Sequence, residues 1–287
     1  MGIGLKLVKK MEEWFKENGA EYSYMATEKD NSASVNLFTN KCGYSKFRTP
    51  SILIQPVFAH QARISKRVTI IKLEPSDAEV FYRRRFSTTE FFPTDIDVVL
   101  SNPLSLGTFV AFPKVLGYNY SWPGSDKFLD NPPESWAIVS VWNCQFQLEV
   151  RGVSSFKKWV ARRIRGVDRA CPWMRIPSVP EFFRPFGIHF VYGLGGEGVM
   201  GEKLVKELCG AVHNLAKERG GGVVATEVSA GERLRKGIPH WKRLSCPEDL
   251  WCMKKLGEDE DEDDEEDVGD WTKSAPGLSI FVDPREI

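Results

Sequence analysis

Two stretches of the chain repeat the same short pattern, and this repeat constrains the fold more than any other feature of the sequence. Lys6-Leu7-Val8-Lys9 recurs as Lys203-Leu204-Val205-Lys206, each after glycines and within a run of helical periodicity. In the first copy, Ala26-Thr27-Glu28 begins 20 residues after Lys6 (6 to 26). In the second copy, Ala225-Thr226-Glu227 begins 22 residues after Lys203 (203 to 225). Each triplet lies at the end of a strand-like segment. The chain is therefore predicted to contain two copies of a unit that runs glycine turn, helix, strand.

The first copy begins with Gly2-Ile3-Gly4, ahead of a predicted amphipathic helix that ends near Asn18-Gly19. Glycines let a ligand approach the main chain, and the unpaired amides of a first helical turn, here Gly2 to Leu5, carry the positive end of the helix dipole. A strand from Glu21 to Thr27 follows, and then Asn31 opens a polar loop and a short helix. This order predicts a site for a pyrophosphate group. For two glycines alone, the alternative is a flexible start before an ordinary surface helix.

These residues resemble the coenzyme-binding half of the GNAT superfamily of N-acetyltransferases. The family pattern is Gln/Arg-x-x-Gly-x-Gly/Ala, a helix and a strand, then Asn-x-x-Ala/Ser-x-x-Leu-Tyr and Gly-Phe/Tyr. Over essentially the whole chain, including Gly2 to Phe47, Trp271 to Ser274 and Phe281 to Glu286, the sequence resembles the hookless-type probable N-acetyltransferases of plants. The resemblance implies an α+β GNAT fold and transfer of acetyl from acetyl-CoA to a protein amine, with histone lysine as one candidate acceptor. It also implies a regulatory role.

The resemblance assigns the pyrophosphate of the coenzyme to four consecutive residues, Gly2, Ile3, Gly4 and Leu5, and the pantetheine arm to Asn31. Many relatives carry a tyrosine that reprotonates the departing thiolate, but Phe38 occupies that position here. Tyr44 or Cys42 could supply the proton instead. The catalytic residues are therefore unknown, with Glu28 and Tyr44 as the candidates. The Gln/Arg of the pattern falls before residue 1, so the chain is expected to be truncated inside its own coenzyme motif.

The resemblance also divides the chain into two parts. Residues 1–66 are expected to form the C-terminal half of a GNAT domain, and residues 68–287 a complete but degenerate GNAT-like domain. Strand-like runs in the second part predict one hairpin from Trp136–Trp142 and Phe146–Val150, and another from Trp241–Leu244 and Leu250–Lys255. Because the strand that normally precedes the glycine turn is missing, the strand from Glu21 to Thr27 is expected to lie at an open sheet edge.

The second glycine turn also fits a different class of protein. Gly193, Gly195 and Gly198 satisfy the Gly-x-Gly-x-x-Gly pattern of dinucleotide-binding folds, with Glu227 ending the next strand. A nicotinamide-dependent oxidoreductase is therefore an alternative. However, Gly193 and Glu227 lie 34 residues apart, where roughly 20 is expected, and Glu197 would repel a pyrophosphate. The expectation is a degenerate turn whose glycines serve packing. A further alternative is an inactive GNAT-fold regulatory protein.

Charge is unevenly distributed along the chain. Lys and Arg number 39 and so do Asp and Glu, but ten acids form the run Glu258 to Asp267, so the remainder has 39 bases against 29 acids. The run is predicted to be a disordered loop, either a solvated insertion or a docking surface for basic partners. Ser154 to Arg169 predicts a basic amphipathic helix. The basic face of this helix either faces solvent alone or contacts nucleic acid, an anionic membrane or the acidic run. Sequence-specific nucleic-acid binding is not expected.

The remaining composition narrows the class of protein. The six cysteines include no Cys-x-x-Cys pair and the four histidines are dispersed, so we expect reduced thiols and no metal. No apolar run approaches the roughly 20 residues of a membrane span, and charged residues interrupt Met1 to Lys10 as a signal peptide. A nuclear or cytoplasmic protein without membrane contact is expected.

Overall fold

A computed structural model of the chain describes residues 2–114, 122–256 and 275–287. The chain divides into two compact units. The smaller comprises residues 1–52, 229–231 and 246–278, and the larger comprises residues 53–228, 232–245 and 279–287. The acidic run Glu258 to Asp267 and the segment Trp271 to Ser274 lie outside the described residues.

The smaller unit is a helix packed on a three-stranded sheet, as far as the described residues go. Its elements are α1 (Ile3–Glu17), β1 (Tyr22–Glu28), α2 (Ser32–Asn36), a π-helical turn (Leu37–Lys41), β2 (Ser45–Arg48) and β9 (Asp249–Lys255). The sheet order is β1-β9-β2, with β9 antiparallel to both neighbours. Apolar residues of α1 at helical spacing, Leu5 and Val8, pack on Cys42, Tyr44, Leu250 and Cys252.

The larger unit contains a six-stranded sheet in its described part. The strands are β3 (Ser51–Pro56), β4 (Val68–Leu73), β5 (Ser105–Pro113), β6 (Trp136–Leu148), β7 (Phe186–Glu197) and β8 (Gly221–Val228), in the order β3-β8-β7-β6-β5-β4. The helices are α3 (Pro75–Phe86), α4 (Ile96–Ser101), α5 (Ser125–Asp130), α6 (Ser155–Ala170) and α7 (Gly201–Glu218), with 3-10 turns at Pro172–Met174, Arg233–Gly237 and Pro284–Glu286. The core forms where α7 buries Leu204, Val205 and Leu208 against the sheet.

Each copy of the sequence repeat falls on a helix and the strand that follows it. The two Lys-Leu-Val-Lys stretches lie in α1 and α7, and the two Ala-Thr-Glu stretches lie in β1 and β8. In the larger unit, β7 and β8 pair in parallel from Gly187 to Val191, and β7 then bulges at Gly193 and continues beside β6. Gly193 has a positive φ of 59°, which favours glycine. The repeat therefore marks two helix-strand pairs, as predicted.

The structure corrects both predicted hairpins. Residues 136–148 form one long strand, β6, because the whole segment has β7 as an antiparallel neighbour. Trp241–Leu244 is not a strand, and β9 pairs with β1 and β2 instead. Alternation identifies a strand but carries no information about its partner, which is why both segments were misassigned.

The division of the chain also differs from the predicted boundary at residues 66–68. Residues 53–66 belong to the larger unit, and the described residues 246–256 belong to the smaller. The physical reason is that β3 adds to the six-stranded sheet while β9 inserts between β1 and β2. Among the described residues, β1 lies at the edge of its sheet, as expected. No helix in these ranges is both long and apolar enough to cross a bilayer.

Candidate functional site

The first turn of α1 is the candidate pyrophosphate site. Gly2 precedes the helix in an extended conformation, and the first helical hydrogen bond runs from Lys6 N to Gly2 O at 3.3 Å, so the amides of Ile3, Gly4 and Leu5 come before it. Within the described residues no side chain caps this end, and the first turn contains no acid. Uncapped amides and the positive end of the dipole fit an anionic group.

Neither glycine of this turn is required by packing. A Cβ added at Gly2 would meet nothing within 4 Å, and one at Gly4 would meet only Leu37 Cδ2 at 3.5 Å, an ordinary contact. The space over the turn is therefore open to a ligand. Leu37 follows α2 directly, so the helix that Asn31 caps packs close to the start of α1.

Asn31 and Glu28 lie at the junction between β1 and α2. Asn31 Oδ1 accepts a hydrogen bond from Ser34 N at 3.2 Å, and Asn31 N donates to Glu28 O at 2.9 Å. The cap fixes the Asn31 side chain and occupies its oxygen, which leaves the amide nitrogen as its donor group. Glu28 is exposed at the end of β1, opposite the buried Asp249. Burial, with a contribution from the Glu28 charge, raises the pKa of Asp249.

Tyr44 lies in the core between α1 and the sheet. Its hydroxyl shares a 2.7 Å hydrogen bond with Ser23, and its ring meets Phe38 edge-on at 5.2 Å. Burial raises the pKa of Tyr44 to about 12, so the phenol is protonated at neutral pH. A Tyr44 role as proton donor stays a prediction, and the structure places the hydroxyl beneath α1, bonded to another side chain.

Sequence reasoning missed an ion pair in the same core. Glu12 on α1 accepts a hydrogen bond from Lys254 Nζ of β9 at 3.1 Å, and Lys254 Nζ lies 5.9 Å from the centre of the Tyr44 ring. Glu12 and Lys254 are 242 residues apart in the sequence. The available signal was that Glu12 falls on the same helical stripe as Leu5 and Val8, where an apolar residue is expected.

The second glycine turn, before α7, has a different geometry. Met200 N donates to Ser135 Oγ at 3.2 Å and Gly201 N to Gly198 O at 3.0 Å, so these amides are already bonded. A Cβ at Gly196 would lie 2.7 Å from Trp136 O, and one at Gly198 would overlap Glu134 O. Acids also flank the turn, since Glu197 pairs with Arg85 and Glu202 lies in the first turn.

The glycines of the second turn are therefore closely packed, unlike those before α1, and the degenerate character of this copy stays a prediction. The cavity beside the turn, lined in part by Leu194, Thr226 and Ile238, measures about 10 Å³, space for one water at most. No group of three or more His, Cys, Asp or Glu suited to a metal ion occurs within the described ranges.

Comparison with known proteins gives three findings. The acetyltransferase (GNAT) family model matches residues 1–44. The "Probable N-acetyltransferase HLS1-like" of Arabidopsis thaliana is 66% identical over 99% of this chain and 70% of its own length. "Probable N-acetyltransferase HLS1" of the same plant is 64% identical over 99% and 71%. Among solved structures, a GCN5-related N-acetyltransferase from Sphaerobacter thermophilus superposes with a TM-score of 0.47 at 13% identity, covering 89% of this chain and 69% of its own.

Proposed function

Because this chain belongs to the GNAT family of N-acetyltransferases, we propose that it transfers an acetyl group from acetyl-CoA to an amine of a protein. In that reaction the deprotonated amine nitrogen attacks the thioester carbonyl. A carbon–nitrogen bond forms, the carbon–sulfur bond breaks, and the thiolate takes up a proton. The fold contributes mainly by binding the coenzyme and orienting its carbonyl.

The observation that carries the proposal is the uncapped first turn of α1. The amides of Ile3, Gly4 and Leu5 and the absence of side chains at Gly2 and Gly4 would hold the pyrophosphate. Asn31 would donate from its amide nitrogen to the pantetheine arm, because its oxygen is used by Ser34 N. When bound, acetyl-CoA supplies the activated acetyl group.

The proposed acceptor is inferred from the family, because no residue of the site identifies it. A protein amine is the acceptor class, with histone lysine as the first to examine. The exposed Glu28 carboxylate at the end of β1 suits a proton acceptor better than the buried Tyr44 phenol suits a proton donor. The competing proposal is a GNAT-fold binding protein that takes up the coenzyme without turnover.

Calorimetry with acetyl-CoA on Gly4→Glu tests the turn. The added carboxylate repels the pyrophosphate while the Cβ meets only an ordinary contact, so binding should weaken at least tenfold, about 1.4 kcal/mol. The matched control is Val199→Glu, because Val199 is fully exposed in the second turn, whereas Gly196→Glu would disturb the packing on Trp136.

Four outcomes are informative. Loss of binding in Gly4→Glu alone supports the assignment, and equal loss in both variants contradicts it. Binding of NAD in place of acetyl-CoA would favour the oxidoreductase alternative. Coenzyme binding without thiol release in the presence of a lysine-containing histone-tail peptide would favour the inactive binding protein.

A further inference from the structure

Helix α6 is anchored to the larger unit by its polar side. Asp168 is fully buried, and its carboxylate accepts hydrogen bonds from Ala59 N at 2.9 Å, from Ser178 Oγ and from the His60 ring, 2.7 Å away. Burial opposes the carboxylate charge, but these hydrogen bonds outweigh it and lower the pKa of Asp168. One turn earlier, Arg165 donates to Val57 O at 2.9 Å. The helix is therefore held in one orientation by charged groups.

This anchoring directs the apolar side of α6 to solvent. At 100° per residue, Phe156, Trp159, Arg163 and Val167 span an arc of about 80° on the side opposite Asp168 and Arg165. Phe156 is 72% exposed, Trp159 55% and Val167 45%. A surface helix normally buries its apolar stripe, whereas α6 exposes this stripe to solvent.

The exposed stripe is ordered by its own contacts. The Phe156 and Trp159 rings stack with centroids 6.4 Å apart and planes at 20°, and the Arg163 guanidinium lies 5.3 Å from the centre of the Trp159 ring. Trp173 and Met174, which follow in the next turn, are 74% and 59% exposed. We call the four residues Phe156, Trp159, Arg163 and Val167 the α6 outer face.

The charge around the α6 outer face has one sign. The exposed charged residues on either side of it are basic: Lys157, Arg162, Arg169 and, beyond the helix, Arg175. The single acid of α6, Asp168, is buried on the inner side. Any group that docks here therefore meets apolar surface bordered by positive charge.

We propose that the α6 outer face is a docking surface for an acidic segment of a partner protein that also carries apolar side chains. Aromatic residues, Met and Arg are the types enriched in the cores of protein interfaces. Phe156 and Val167 are 11 residues apart, about 16 Å along the axis, which is close to the span of four anchor positions of an amphipathic partner helix. Acids between those anchors would pair with the flanking cations.

Two other classes of ligand fit less well. Single-stranded nucleic acid needs a platform of aromatic rings, but Val167 and the neighbouring, partly exposed Ile164 offer aliphatic surface. A membrane-bound helix keeps its cations beside the apolar stripe, whereas Arg163 lies in the middle of it. Neither argument depends on acetyl transfer, so the proposal stands independently of the proposed function.

Fluorescence anisotropy with designed peptides tests the docking surface on the full chain. The probe is a labelled 16-residue peptide with Leu or Phe at positions 2, 5, 9 and 12 and mostly Glu elsewhere. Trp159→Ala and Arg163→Glu should each weaken its binding at least tenfold. The matched control is Trp14→Ala on α1, since Trp14 is 54% exposed, and it should leave binding unchanged. Unaltered thermal midpoints exclude misfolding as the cause.

Specificity controls decide whether the ligand of the α6 outer face is an acidic amphipathic segment, single-stranded nucleic acid or a membrane. A 16-residue poly-Glu peptide of the same length should bind at least tenfold more weakly than the probe. The proposal is overturned if the probe does not bind, if poly-Glu binds equally well, or if Trp159→Ala has no effect. It is also overturned if a single-stranded oligonucleotide or vesicles of phosphatidylcholine with phosphatidylserine bind through Trp159 more tightly than the probe.

Discussion

At the scale of single residues, His213 shows how a hydrogen bond fixes a protonation state. His213 is fully buried on α7, and its Nε2 accepts a hydrogen bond from Phe58 N at 2.8 Å, so that nitrogen carries no proton. Burial lowers the pKa of His213, the hydrogen bond with Asn214 opposes this shift, and the charges of Lys217 and Arg165 lower the pKa further. The folded chain therefore holds this ring neutral.

We expect the thermal midpoint to fall as the pH drops below about 6.5, the ordinary pKa of histidine. The unfolded chain takes up the proton there and the folded chain does not, so this contribution to stability is complete above that pH and declines below it, by up to about 1.4 kcal/mol per pH unit. In His213→Gln the slope should be shallower. His189, also buried with a lowered pKa, should retain part of it. An unchanged slope would contradict the assignment.

Residues with local partners were predictable from sequence, and residues with distant partners were not. Gly2 and Asn31 act within their own turns, where helix-start rules apply. Asp168 meets Ala59 across 109 residues, and Glu12 meets Lys254 across 242. No spacing rule connects such pairs, so both contacts escaped detection. For the same reason the basic helix was not recognised as facing outward with its apolar side.

At the scale of elements, the two glycine turns have similar sequences but differ in how closely their glycines are packed. The turn before α1 has space around its glycines, and the turn before α7 needs its glycines for packing. Gly198 also has a φ of 80°, a backbone conformation that residues with a side chain rarely adopt. The missing side chains therefore leave open space in one case and permit tight packing in the other.

Alanine substitutions should separate these two roles. Gly198→Ala should lower the free energy of unfolding of the larger unit by more than about 2 kcal/mol, because its Cβ would overlap the Glu134 carbonyl and its φ is strained. Gly2→Ala should change stability by less than about 0.5 kcal/mol. Thermal melts followed by circular dichroism measure both. Similar midpoints for the two variants would contradict the distinction.

Helices were predicted closely because their start and stop signals are local. The predicted helix from Ser154 to Arg169 is observed as Ser155–Ala170, and the helix predicted to end near Asn18-Gly19 ends at Glu17. Strands were found but their partners were not, since β6 was divided into a hairpin and β9 was given to the wrong sheet. Pairing depends on long-range packing that alternation does not encode.

At the scale of the whole molecule, each sheet contains a strand from a distant part of the chain. β9 lies between β1 and β2 of the three-stranded sheet, and β3 lies beside β8 of the six-stranded one. Because β9 is the central strand in its sheet, β1 and β2 have no direct pairing with each other among the described residues. The smaller unit therefore depends on residues 249–255.

Cys252→Pro should disrupt the smaller unit selectively. Cys252 is buried at the centre of β9, in register with Met25 and Lys46, and proline removes a donor that a central strand needs. Hydrogen exchange should show protection lost in β1 and β2 and kept in β7. Cys252→Ala keeps the amide and should keep protection in all three strands. Continued protection of β1 in the proline variant would contradict the described pairing.

The position of β9 has a consequence for synthesis. β2 ends at Arg48 and β9 begins at Asp249, so a ribosome adding about 5–20 residues per second needs roughly 10–40 s between them. During that interval β1 and β2 have left the exit tunnel without the strand that joins them. Their aromatic residues and unpaired backbone groups are then available to chaperones or to neighbouring nascent chains. The smaller unit is therefore completed only after most residues of the larger unit have been translated.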